Sequence, residues 1–293
     1  MQPYYVKLIA GLPELGVKVT TVLHDRETTL ATVDAIAGVH IVDHGRLRHP
    51  RLLNTGVAYI YPFWNLDPWG IRALSSIAAA TFDATQIDPV AAKEFAAKLR
   101  KRLVDTRISR YPQAGEVVDL PKGHIAVFLQ SEAHRAVEET CHLSMRQMLA
   151  ALLARDDPRE IVIKPHPRDL GQQTRAYLAR LAARDARVRV VDANIHDMLS
   201  CAAVSVTINS AVGIEAHLHR VPVVLCGRAD FHHAAVTVTD RHKMGAAIAM
   251  AEATDWPHDA YLHWYFASNC LNAGRPDFVQ AFLAKIASRL PAG

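Results

Sequence analysis

The feature that most constrains this chain is an alternation that starts near residue 124. Short runs rich in Val and Ile fall at 125–129, 160–164, 188–191, 204–207 and 221–225. Between them lie segments with helical spacing, near 136–154, 170–184, 195–201 and 211–219. Runs of that length without polar alternation suit strands buried on both faces. Helices of about seven to nineteen residues between them supply the crossovers of a parallel sheet. In such sheets ligands gather at the carboxyl ends of the strands, so the polar residues there are the ones to read.

The first third of the chain is less regular. Residues 3–15 have helical spacing of Tyr5, Leu8, Ile9 and Leu12, with Pro13 in the last turn and Gly16 as a stop. Residues 17–23 then read as a buried strand, and further strands are expected at 39–42 and 57–61. Helix followed by strand is the second half of a βαβ unit. Either the natural start lies upstream or the first domain lacks its first strand. Residues 91–104 form an amphipathic helix, on which Lys98, Arg100, Lys101 and Arg102 read as a solvated face. From 105 to 122 periodicity is lost, and the segment reads as a linker. The expected division is therefore 1–110, 111–255 and a C-terminal helical part, 256–293.

Three elements of the second half carry chemistry. The run Ile161-Val162-Ile163 leads into Lys164-Pro165-His166-Pro167, where two prolines fix the backbone behind a point charge and an imidazole donor. Val204-Ser205-Val206-Thr207-Ile208 leads into Asn209-Ser210, which is expected to cap a helix beginning Ala211-Val212-Gly213-Ile214-Glu215. Unpaired amides and the helix dipole at such a cap hold phosphate. Gly213 would let a ligand approach closely, and Glu215 would either accept from ribose hydroxyls or be a capping-box residue. The third element is the strand at 221–225, followed by Cys226 and the turn at Gly227. Together these predict a site for the phosphate of a nucleotide.

Composition narrows the function classes. A formal charge of +4, with Lys and Arg interspersed among Asp and Glu, does not point to nucleic acid. No apolar run reaches the roughly 20 residues of a membrane span, and residues 1–5 lack a signal-peptide pattern. Cys141, Cys201, Cys226 and Cys270 are scattered without a C-x-x-C pair, which fits reduced thiols. The expected setting is cytoplasmic, either free or peripheral to the inner membrane. Among the sixteen histidines, His232-His233 are adjacent rather than on one helical face, and no metal-ligand spacing occurs. No metal is expected.

At these residues the chain resembles the capsular polysaccharide biosynthesis family that includes the bacterial Kdo transferases. The markers are a strand ending in Gln130, the turn at 164–167, Asn209-Ser210-Ala211-Val212-Gly213-Ile214-Glu215-Ala216, and the strand ending at Gly227. The resemblance implies an α/β protein of GT-B-like architecture, two Rossmann-like domains around a cleft. It implies a glycosyltransferase that moves Kdo or a similar sugar from a CMP-activated donor to a saccharide or glycolipid acceptor, without a metal or other cofactor. His166 and Ser210 would then contact the CMP phosphate, Lys164, Pro167 and Asn209 would flank it, and Glu215 would face the ribose. Asp67, in Phe63-Trp64-Asn65-Leu66-Asp67-Pro68-Trp69-Gly70, resembles the family's acid/base that deprotonates the acceptor hydroxyl. One departure stands out. Four positions after Gln130, where the family carries an aspartate nucleophile, this chain has His134, and Glu132 is the nearby carboxylate. Two other readings stay open: a sugar-nucleotide epimerase or polyol-phosphate transferase of the same architecture, and a non-catalytic scaffold that binds nucleotide or polysaccharide.

Overall fold

The computed structural model describes residues 2–23, 25, 28–130, 140–168 and 171–289 of the 293-residue chain. Its first elements are α1 (Pro3–Glu14), α2 (Thr29–Ala35), β1 (His40–Asp43), β2 (Leu52–Val57), β3 (Phe63–Asp67) and α3 (Pro89–Leu103). Next come β4 (His124–Phe128), α4 (Met145–Leu153), β5 (Ile161–Lys164), α5 (Gln172–Arg184), β6 (Val188–Val190) and α6 (Ile195–Cys201). The chain continues through β7 (Ala202–Thr207), α7 (Val212–Ala216), β8 (Val223–Leu225), β9 (Val236–Thr237) and α8 (Met244–Ala253). It closes with α9 (His258–Leu262), β10 (Leu271–Asn272) and α10 (Phe278–Arg289).

Two units emerge, Met1–Ala80 with Tyr265–Gly293, and Thr81–Trp264. Residue 110, where a boundary was expected, lies inside the second unit. Of the expected C-terminal part, residues 256–264 belong to the second unit and the rest to the first.

The first unit is α/β, with a mixed sheet in the order β1-β2-β3-β10. The pair β1–β2 is parallel; β2–β3 and β3–β10 are antiparallel. Helix α1 buries Tyr4, Leu8 and Leu12. Tyr4 stacks on Trp64 of β3 at 4.0 Å, and Phe278 and Phe282 of α10 close the same cluster. Two sequence expectations fail in this unit. Residues 17–23 are not a buried strand: they pair with no sheet, and Leu23 is 95% exposed. The strand expected at 57–61 ends at Val57, because the backbone turns at Tyr59 (φ 63°) before β3. Hydrophobicity marked both segments, but hydrogen-bonded neighbours decide which apolar stretch becomes a strand.

The second unit follows the alternation closely. Its six strands are all parallel, in the order β6-β5-β4-β7-β8-β9. Numbered from β4, that is the doubly wound order 3-2-1-4-5-6. Every residue of β4, β5 and β8 is buried, as expected when helices cover both faces. The order reverses between β4 and β7, so the ends of these strands open the crevice where a ligand fits. The segment expected to be a linker, 105–122, is not loose. Arg107 pairs with Asp197 at 2.6 Å, and the side chain of Asn194 donates to the Arg107 carbonyl at 3.0 Å. Among the described residues no helix is long and apolar enough to cross a membrane.

Candidate functional site

A groove lies at the reversal point, lined by Lys164, Pro165, His166 and Pro167 after β5, by Ser210, Ala211 and Val212 after β7, and by Glu215. It is partly open to solvent.

Lys164 is the last residue of β5 and is buried. Its ammonium bonds Asp192 Oδ1 at 2.9 Å, a carboxylate that is itself 90% exposed. Water screens much of that partner, so the lysine brings positive charge to the groove floor. The His166 ring is oriented from behind: its Nδ1 accepts from the backbone N–H of Arg168 at 3.1 Å. Nδ1 is therefore an acceptor, and the ring proton sits on Nε2, the tautomer that donates. The Tyr111 and His166 rings meet in a T-shaped pair with centroids 5.2 Å apart, and the guanidinium of Arg168 lies 4.8 Å above the Tyr111 ring.

Ser210 takes part in the turn that starts α7. Its hydroxyl accepts from Val212 N at 3.4 Å, and its own N–H donates to Thr207 Oγ1 at 3.3 Å. The helix is shorter than expected, five residues followed by a 3₁₀ turn, His217–His219. A short helix has a weaker dipole, so side chains rather than the helix end carry the positive character of the groove.

Glu215 is the most unusual group at the site. It is 2% exposed, and its Oε1 accepts from Ser109 Oγ at 2.8 Å. Its Oε2 has no hydrogen-bond partner among the described residues. Burial pushes the carboxyl up to about 7, against the Ser109 hydrogen bond and the charge of Arg110, both of which pull it down. A carboxyl with its midpoint near pH 7 is only about half ionised there, so it repels a neighbouring phosphate less than an ordinary carboxylate would.

Other expected site residues have partners within the fold. The Asn209 side chain donates to Thr140 Oγ1 at 2.5 Å and to the Arg228 carbonyl at 3.0 Å, and its backbone N–H donates to Gln130 Oε1 at 3.4 Å. Gln130 and Asn209 thus tie neighbouring loops together behind the groove. The two glycines are required by packing. A Cβ on Gly213 would lie 2.9 Å from the Phe231 ring, and one on Gly227 would lie 2.9 Å from the Thr140 carbonyl. Neither lines the groove. Asp67 is buried in the first unit, where it closes its own loop. Its Oδ1 accepts from Trp69 N at 2.8 Å and Ser76 N at 2.9 Å, and its Oδ2 from Ser76 Oγ at 2.5 Å. Glu132 and His134 lie outside the described residues. Of the C-terminal aromatics, Tyr261 and Trp264 pack on Phe82, at 5.0 and 5.3 Å.

Sequence reasoning missed Ser109, Arg110, Tyr111 and Gln113, which also line the groove. They lie in the stretch whose lost periodicity suggested a linker. The available signal was the run Arg110-Tyr111-Pro112, an aromatic between a cation and a backbone-fixing proline.

The model of the capsule polysaccharide biosynthesis protein family matches residues 86–275. The chain belongs to this family. Among solved structures it is similar to Thermosulfurimonas dismutans KpsC, beta Kdo 2,7 transferase, at 15% identity, covering 97% of each chain with a TM-score of 0.55. It also matches the T. dismutans KpsC beta Kdo 2,4 transferase at 16% identity, over 72% of this chain and 70% of that one, with a TM-score of 0.45. The Methanocaldococcus jannaschii UDP-GlcNAc 2-epimerase in complex with UDP-GlcNAc and UDP matches at 13% identity, over 73% and 53%, with a TM-score of 0.37. No curated protein matches the chain. The KpsC 2,7 transferase likeness shows a shared fold, the GT-B-like α/β architecture anticipated from the sequence.

Proposed function

We propose that this member of the family is a glycosyltransferase of capsule polysaccharide synthesis. It would transfer Kdo or a related sugar from a CMP-activated donor to a saccharide or glycolipid acceptor. The observation that carries the reading is the convergence of Lys164, His166 and Ser210 on one groove at the reversal point of a doubly wound sheet. The donor phosphate would lie between His166 and Ser210. As the acceptor oxygen bonds the anomeric carbon and gives up its proton, to the departing phosphate or to water, the bond to CMP breaks and negative charge grows on that phosphate. The Nε2–H of His166 and the charge of Lys164 would meet it, stabilising the transition state more than the ground state. In this reading no metal is required on the phosphate, because side chains of the groove supply the positive charge. Asp67 is given no chemical step, since its carboxylate is occupied within its own loop.

The direct test is a crystal soaked with CMP, with density expected between His166 and Ser210. Turnover of CMP-Kdo by the pure protein should fall on the order of 100-fold or more in His166→Ala. A His166→Ala variant with near-wild-type turnover would remove the phosphate role. Stronger thermal stabilisation by UDP than by CMP or CDP would favour the epimerase reading instead. Binding without any donor cleavage would favour the scaffold.

A further inference from the structure

Between α3 and β4, residues 107–113 form neither helix nor strand, yet they are tied down at several points. Besides the Arg107–Asp197 pair and the Asn194 hydrogen bond, His196 Nε2 donates to the Ile108 carbonyl at 2.9 Å. The backbone N–H of Ile195 donates to Gln113 Oε1 at 3.2 Å. The start of α6 therefore holds both ends of the segment as a strap over the groove. At its middle, the Ser109 hydroxyl donates to Oε1 of Glu215.

That contact divides the Glu215 carboxyl into two unlike oxygens. One is satisfied by the strap; the other is buried, belongs to a residue lining the groove, and has no partner among the described residues. A buried acceptor left unpaired is costly, and a native protein that keeps one at a ligand site invites a ligand donor to fill it. Hydroxyl groups are such donors. Without Ser109 the hydrogen bond that distinguishes the two oxygens would be lost.

We propose that Ser109 is a positioning residue for hydroxyl recognition: by holding Oε1 of Glu215, it presents Oε2 to the 2′ or 3′ hydroxyl of the nucleotide ribose. The inference rests on the nucleotide reading above and adds the strap as its selectivity element. A site that leaves a buried polar group unpaired rejects analogues lacking the matching hydroxyl, whereas a merely supporting residue would not discriminate among them.

The test measures dissociation constants of the full chain for CMP, 2′-deoxy-CMP and 3′-deoxy-CMP by calorimetry. Wild type is expected to bind CMP at least about tenfold more tightly than one of the two deoxy analogues. Ser109→Thr keeps the hydroxyl and should preserve that ratio. Ser109→Val, of the same shape without the donor, should reduce it to below about threefold, mainly by weakening CMP. If the valine variant does not fold, Ser109→Ala serves in its place. Equal weakening of all three ligands in the valine or alanine variant, or a wild type that binds CMP without preference, would overturn the inference while leaving the nucleotide reading intact. A wild type that binds none of the three would overturn the nucleotide reading itself, and the inference with it.

Discussion

Replacing Glu215 with Gln tests the electrostatics of the site without any ligand. In the folded protein burial raises the carboxyl from 4.5 to about 7. The unfolded chain then releases its proton more readily than the folded one. Folding carries the full burial penalty above pH 7, and the penalty fades as pH falls from 7 towards 4.5. Each tenfold change in proton affinity is worth about 1.4 kcal/mol, so the penalty at pH 8 is on the order of 3 kcal/mol. Glutamine cannot ionise, and its carbonyl can still accept from Ser109. Its amide nitrogen takes the place of Oε2 and adds a cost of its own, about 1–3 kcal/mol, that does not depend on pH. The informative quantity is therefore how the stability difference between Glu215→Gln and wild type changes with pH. That difference should shift in favour of the variant by roughly 3 kcal/mol between pH 4.5 and pH 8. At roughly 2–4 °C per kcal/mol, the relative Tm moves by about 6–12 °C. Differential scanning calorimetry of both proteins at pH 4.5, 6, 7 and 8 reads this directly, and the histidines cancel because both proteins carry them. A Tm difference that stays constant across the range would mean that Glu215 titrates as an ordinary exposed carboxyl, and the account of a buried, ligand-seeking oxygen would fail.

Two further predictions concern the packing around the groove. His217 bonds His258 and His219 bonds His196, at 2.8 and 2.9 Å, and burial lowers all four, His219 and His258 to about 4. A histidine lowered by folding takes up its proton first in the unfolded chain, so its contribution is intact above pH 6.5 and is lost as pH falls towards 4. The urea midpoint should drop between pH 6.5 and 4.5, and His258→Gln should flatten that drop; an unchanged acid slope in the variant would count against the pair. Gly213→Ala pushes a methyl into Phe231 and should cost about 1–3 kcal/mol in denaturant unfolding. CMP affinity, measured where the variant remains folded, should stay near wild type, and a selective loss of affinity would return Gly213 to the ligand site.

The second unit was legible because its signals are local. A strand buried on both faces writes a continuous apolar run, and the helices between write a 3.6-residue period, so residues 195–201 read as a helix and form one. The cluster around Lys164, His166 and Ser210 could be anticipated for the same reason, since a parallel sheet puts the ends of its strands together. The first unit was harder to read. Val17 to Leu23 has the composition of a strand but pairs with no strand among the described residues, and β3 forms at Phe63–Asp67, where no strand is expected from the sequence.

What the sequence determined by itself is the doubly wound half, the family, and which strand ends carry basic and hydroxyl groups; these follow from periodicity and residue type along a short stretch. What only the tertiary structure decided is how distant residues divide the work. It showed that Gly213 and Gly227 make room for side chains and backbone, that Asn209 ties loops, and that a supposed linker straps over the groove and reaches Glu215 from 106 positions away. No local pattern encodes these roles, because a hydrogen bond or a close approach depends on distances in space, and those are fixed only when the sheet has brought the two segments together.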